Sequence, residues 1–133
     1  MNRLFGDRLF WLALLVAPVT VYGLDWVWPH PAKIPGFPIL QIIVYPILEE
    51  LTFRGLIQSW LLEQTRWRFH AFSLANLLTS LLFVAAHLLV RKHWIMVTVL
   101  VPSLIFGFFR ERHDRIYPCI VLHVYYNIVY FLY

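Results

Sequence analysis

The stretch Ile47-Leu48-Glu49-Glu50-Leu51-Thr52-Phe53-Arg54-Gly55 decides how this chain is read. It sets two carboxylates and a guanidinium inside an apolar run, residues 37–62. That run is longer than the roughly 20 residues a helix needs to cross a bilayer. A charge at the centre of a lipid-facing helix costs several kcal/mol, so a charge retained there marks a working site unless something else accounts for it.

The rest of the chain supports a membrane setting. Of its 133 residues 61% are hydrophobic and 14% charged, against roughly half and a quarter in soluble domains. In water such a composition would expose apolar surface everywhere. Five apolar stretches are legible, at 9–28, 37–62, 72–90, 94–109 and 116–133. They predict an all-α, polytopic transmembrane bundle of about five spans, a single domain over residues 1–133 with no room for a soluble one. The first stretch follows Arg3 and Arg8 but lacks a small-x-small cleavage site, so it reads as a retained span rather than a signal peptide.

Punctuation between the stretches agrees. Residues 28–38 carry four prolines and a glycine and read as a loop. Pro46 and Pro102 fall inside spans, where proline is tolerated and kinks are expected. Ser103 and Gly107 form a small-xxx-small pair, the signature of close helix packing. With the N-terminus in the cytoplasm, seven basic residues (Arg3, Arg8, Arg66, Arg68, Arg110, Arg112 and Arg115) lie inside and three (Lys33, Arg91 and Lys92) outside. The positive-inside rule therefore favours a multi-pass cell-membrane protein with its N-terminus cytoplasmic.

The formal charge of +4 does not imply nucleic acid, because the basic residues are scattered between apolar stretches as loop anchors. Cys119 has no second cysteine to pair with and reads as a small buried hydrophobe. The loop histidines His30, His70, His93 and His113 sit among prolines or charges and read as solvated.

Polar residues recur in two further spans: His87 in the third, and His123 with Asn127 in the fifth. Helical spacing groups them. Glu50 and Arg54 are four apart and meet on one face, as do Phe83 with His87 and His123 with Asn127. Glu49 points about 100° away from Glu50 and must find its partner on another span. A bundle can direct Glu49, His87, His123 and Asn127 into one polar pocket. That pocket suits amide hydrolysis: Glu49, helped by His87, deprotonates a water, and His123 with Asn127 donates to the resulting oxyanion. Glu50 and Arg54 support the arrangement. No serine, cysteine or threonine sits beside a base in a triad pattern.

The order EExxxR, FxxxH, HxxxN on successive apolar helices resembles the CPBP family of intramembrane peptidases. The motifs read Glu49-Glu50-Leu51-Thr52-Phe53-Arg54, Phe83-Val84-Ala85-Ala86-His87 and His123-Val124-Tyr125-Tyr126-Asn127. Phe53, Gly55, Gly107 and Tyr117-Pro118 are also typical, and the resemblance runs over residues 44–127. It implies a glutamic-type peptidase with Glu49 as general base, His87 aiding it, His123 and Asn127 at the oxyanion, and no cofactor or metal. It implies a membrane-anchored protein or peptide as substrate. A short member of this kind is expected to lack the extra N-terminal helices of eukaryotic CAAX proteases, which counts against prenylated CAAX substrates. The chain looks more like compact bacterial inner-membrane members of the JDVT-CTERM type, proposed to process C-terminal sorting tags.

Two other readings of the same residues stay open. Glu49, Glu50, His87 and His123 suit zinc, although the chain has no HExxH. A non-catalytic, immunity-type membrane protein would use the pocket to bind rather than cut. A transport role ranks lower, with no internal repeat in the chain.

Overall fold

A computed structural model of the protein describes residues 2–25 and 38–132. The expected proline-rich loop lies outside the described residues except for Pro38. The architecture is all-α apart from one two-stranded hairpin. In chain order it comprises α1 (Asn2–Phe5), α2 (Arg8–Asp25), a π-helical turn (Leu40–Val44) and α3 (Tyr45–Glu50). A second π-helical segment (Leu51–Gln58), α4 (Ser59–Gln64), β1 (Arg68–Phe69) and β2 (Phe72–Ser73) follow. The chain ends with α5 (Leu74–Arg91), a 3-10 segment (Trp94–Val99), α6 (Leu100–His113) and α7 (Tyr117–Leu132). Two compact units result, one from Met1–Leu48 with Ile120–Tyr133 and one from Glu49–Cys119.

The first unit is held by small residues. Asp7 caps α2 by accepting from the Leu9 amide at 3.1 Å. Ala13, Ala17 and Val21 recur every four residues and are buried, which lets neighbouring backbone approach closely. The Tyr126 hydroxyl donates to the Ala13 carbonyl at 2.7 Å. Leu12, Leu15 and Val19, on other faces of α2, are exposed. Ahead of Pro46 the helix widens: the Tyr45 amide bonds back five residues to the Leu40 carbonyl. Proline removes a donor and crowds the turn before it, and a wider turn accommodates both.

In the second unit α5 packs on α6 and on the second π-helical segment. Ala75, Phe83, Val84, Phe106, Phe109 and Cys119 form the apolar core, and the Cys119 thiol contacts the Phe106 carbonyl at 3.1 Å. Ser73 caps α5, accepting from the Asn76 amide at 2.9 Å. Lys92 ends α5 in the left-handed region at φ 51°, its amide bonded to the Leu88 carbonyl.

Among the described residues two helices are long and apolar enough to cross a membrane: Leu74–Arg91 and the joined run Trp94–His113. A shorter apolar helix covers Arg8–Gly23. The fourth apolar stretch, which ends at Phe109 by hydropathy, is helical to His113 and begins as a 3-10 helix. The 3-10 turn rises faster per residue, so the run reaches about 33 Å, enough for a bilayer core. Pro102 sits in the first turn of α6, where a missing N–H removes no bond within that helix. Residues 68–71 lie between the expected second and third spans. Arg68-Phe69 pairs with Phe72-Ser73, expected as the start of the third span, in a hairpin with Arg68 opposite Ser73.

Candidate functional site

Glu50 closes α3 and Arg54 lies one turn on, in the π-helical segment; both are fully buried. Arg54 Nε approaches Glu50 Oε2 at 3.3 Å. The contact is electrostatic rather than an aligned hydrogen bond. Burying an ion pair leaves a desolvation cost that further bonds must offset. Arg54 finds them on α6, where Nη2 donates to the Ser103 carbonyl at 3.0 Å and to its hydroxyl at 2.6 Å. The Phe83 ring lies against the guanidinium at 5.6 Å from its centroid, a cation–π contact strengthened by exclusion of water.

The same row of side chains continues past the motif. Gln58, four residues beyond Arg54 and fully buried, donates through Nε2 to the Gly107 carbonyl at 3.1 Å and to Glu111 Oε1 at 2.9 Å. Glu50, Arg54 and Gln58 thus face Ser103, Gly107 and Glu111 along a polar seam. Asn76 on α5 extends it, donating to the Leu104 carbonyl at 3.0 Å and accepting from the Ser80 hydroxyl at 3.2 Å. A Cβ on Gly107 would stand 3.0 Å from Asn76 Nδ2 and closer still to the rest of its amide. Ser103 serves as an acceptor for Arg54, whereas Gly107 is small for the reason the spacing suggests. Gly55 has a like role, since a Cβ there would meet the Ile116 side chain at 3.2 Å.

His87, half-buried on α5, sits one turn after Phe83, with ring centroids 4.4 Å apart. Its Nδ1 lies 3.0 Å from the Phe83 carbonyl. A carbonyl only accepts, so this bond requires the proton on Nδ1 and leaves the Nε2 lone pair available in the neutral ring. Phe53, one residue before Arg54, meets Phe83 edge-on at 5.0 Å. Phe83 thus ties the buried ion pair to His87. Glu49 adjoins Glu50 on α3 and is half-buried in the same unit.

His123 and Asn127 lie on α7 in the other unit. His123 is 6% exposed. Asn127 Nδ2 donates to the Gln41 carbonyl in the first π-helical turn at 2.8 Å, which commits one of its two amide hydrogens and leaves one. Among the described residues no three His, Cys, Asp or Glu side chains gather as a metal-binding group. Of the loop histidines, His70 is exposed. His93 instead accepts from the Ile95 amide at 3.3 Å, and His113 stacks on Phe109 at 5.9 Å.

Sequence reasoning passed over Gln58, Asn76 and Glu111. A signal existed for two of them: Gln58 continues the four-residue spacing of Glu50 and Arg54, and Asn76 interrupts an apolar span.

No curated protein and no solved structure matches the chain. Residues 31–129 match the family described as Type II CAAX prenyl endopeptidase Rce1-like. The match covers about three quarters of the chain and spans every residue of the three motifs, from Glu49 to Asn127. The protein belongs to the Rce1-like type II CAAX prenyl endopeptidases, membrane proteases of the CPBP family.

Proposed function

We propose that this protein is a glutamic-type intramembrane endopeptidase, a single peptidase domain of about five spans that cuts a membrane-anchored protein. The observation that carries this reading is the orientation of His87. Its Nδ1 is held by the Phe83 carbonyl, which presents Nε2 as a base on the same unit as Glu49.

In the proposed reaction Glu49 takes a proton from a water that His87 Nε2 orients, and the hydroxide forms a C–O bond with the scissile carbonyl. The family pattern, rather than any distance between the two units, is the support for giving donation to the oxyanion to His123 and Asn127. The tetrahedral intermediate then breaks its C–N bond, and the proton held by Glu49 passes to the leaving amine. Glu50 and Arg54 touch no reacting atom; they fix the segment that carries Glu49. The proposed substrate is a protein bearing a C-terminal sorting tag, in a bacterial inner membrane with the N-terminus of the peptidase cytoplasmic.

The test is reconstitution of the full chain in liposomes with an epitope-tagged membrane substrate. Candidates are taken from the proteins that accumulate uncleaved when the gene is deleted. Cleavage should fall by about two to four orders of magnitude in Glu49→Gln and in His87→Ala, with both variants folded by circular dichroism. Normal cleavage in both ends this reading. Loss of cleavage on chelation, restored by zinc, would move the chemistry to a metal. Substrate capture by Glu49→Gln as tight as by the unchanged protein, with no cleavage by either, would make it a binding protein.

A further inference from the structure

α5 begins one residue after the hairpin, and Glu111 lies in the last turn of α6. The Glu111 carboxylate accepts from the Ser73 hydroxyl and pairs with Arg68. These bonds bring the start of one membrane-length helix beside the end of the other. The β1–β2 hairpin therefore stands where the two apolar runs stop.

Its side chains suit that level. Trp67, Phe69 and Phe72 are 55%, 63% and 41% exposed, three aromatic rings that the unit leaves uncovered. Aromatic residues gather at the headgroup boundary, where an apolar ring with a polar neighbour is half solvated by each phase. The charges around them are unbalanced. Arg68 is taken by Glu111 and Arg110 by Asp114. Arg66 and Arg115, both exposed, form no hydrogen bond or ion pair among the described residues. Arg112 is exposed and lies over Phe108; Glu63 and Asp114 are the exposed carboxylates of these segments, Asp114 being paired with Arg110.

We propose that the hairpin, with Arg66 and Arg115, seats anionic lipid headgroups at this end of α5 and α6. A guanidinium offers a paired set of donors to a phosphate, and exposed rings beside it enter the acyl boundary of the same lipid. A free phosphate would use the arginines and leave the rings in water, so a lipid accounts for both. The seat rests on the membrane setting of the family and not on the proteolytic reading, so either can fail alone.

The experiment uses the full chain in nanodiscs of phosphatidylcholine, alone or mixed with phosphatidylglycerol. Cys119 is fully buried, so a nitroxide placed through Phe69→Cys labels one exposed thiol. Oxygen-enhanced relaxation should place that label at the headgroup–acyl boundary. Native mass spectrometry should show phosphatidylglycerol retained in excess of its share. Arg66→Gln and Arg115→Gln should each lower that excess roughly fivefold at most, with helix content unchanged. Equal retention of the two lipids overturns the proposal, as does a fully aqueous Phe69 label. So does displacement of phosphatidylglycerol by inorganic phosphate at constant ionic strength, which would reveal an anion site indifferent to the bilayer.

Discussion

Adding one methyl group at Gly107 tests the seam between α5 and α6. In Gly107→Ala the new carbon meets the Asn76 amide at 3.0 Å or less, and Asn76 is fully buried. The side chain has nowhere to retreat without breaking its bonds to the Leu104 carbonyl and the Ser80 hydroxyl. Overpacking a core typically costs 1–3 kcal/mol, and side-chain hydrogen bonds in membrane bundles average about 0.6 kcal/mol each. Gly107→Ala should therefore cost about 2–4 kcal/mol. Asn76→Ala alone loses the two bonds and should cost about 1 kcal/mol. In the double variant the methyl fills space the amide has vacated, so the second substitution adds little. The cycle should close with a coupling of about 2–4 kcal/mol, nearly the whole cost of Gly107→Ala, read from denaturant unfolding in detergent micelles. Costs that add to within about 0.5 kcal/mol would refute the idea that Gly107 is small because of Asn76.

Other perturbations separate the remaining parts. Glu50→Gln leaves the Arg54 charge buried without its counter-ion and should cost about 3–5 kcal/mol. Glu50→Gln with Arg54→Met removes both charges and should regain most of that in the same unfolding assay; a double variant no better than the sum of the singles counts against a buried pair. Lys92→Gly, at φ 51°, relieves a left-handed residue and should raise stability by about 1 kcal/mol, and a lower thermal midpoint would show that the Lys92 side chain matters more than its backbone. Glu111→Gln keeps an acceptor for Gln58 and Ser73 but not the charge that holds Arg68. Amide exchange should speed up in residues 68–73 while α5 and α6 keep their protection. Uniform loss across both helices would mean that Glu111 supports the whole unit.

Part of this was written in the chain. Glu50 with Arg54, and Ser103 with Gly107, were legible because both ends of each relationship are residue types with a fixed spacing. The π-helical segment was not. A turn that closes five residues apart uses the same apolar residues as one that closes four apart, and hydropathy does not register the difference. The end of α6 was hidden by its charges. Arg110 and Glu111 look like the start of a solvated loop, yet Arg110 reaches the Ser59 hydroxyl at 3.0 Å and Glu111 joins Gln58. Long polar stems that turn inward extend a helix past the point where hydropathy ends it. Gln58 and Asn76 were missed because each bonds a main-chain carbonyl on α6, and such carbonyls are present at every position.

That last feature sets which positions of the seam are bound to one residue type and which are not. A seam that mixes backbone acceptors with two side-chain ones, the Ser103 hydroxyl and the Glu111 carboxylate, stores its information unevenly. Arg54, Gln58 and Asn76 must keep their chemical identity, because only those head groups reach across. Leu104 need only remain in the helix, and Gly107 need only stay small, since each supplies a carbonyl that any residue would carry. The inner face of α6 is thus constrained at Ser103, Gly107 and Glu111, while Leu104 contributes a carbonyl alone.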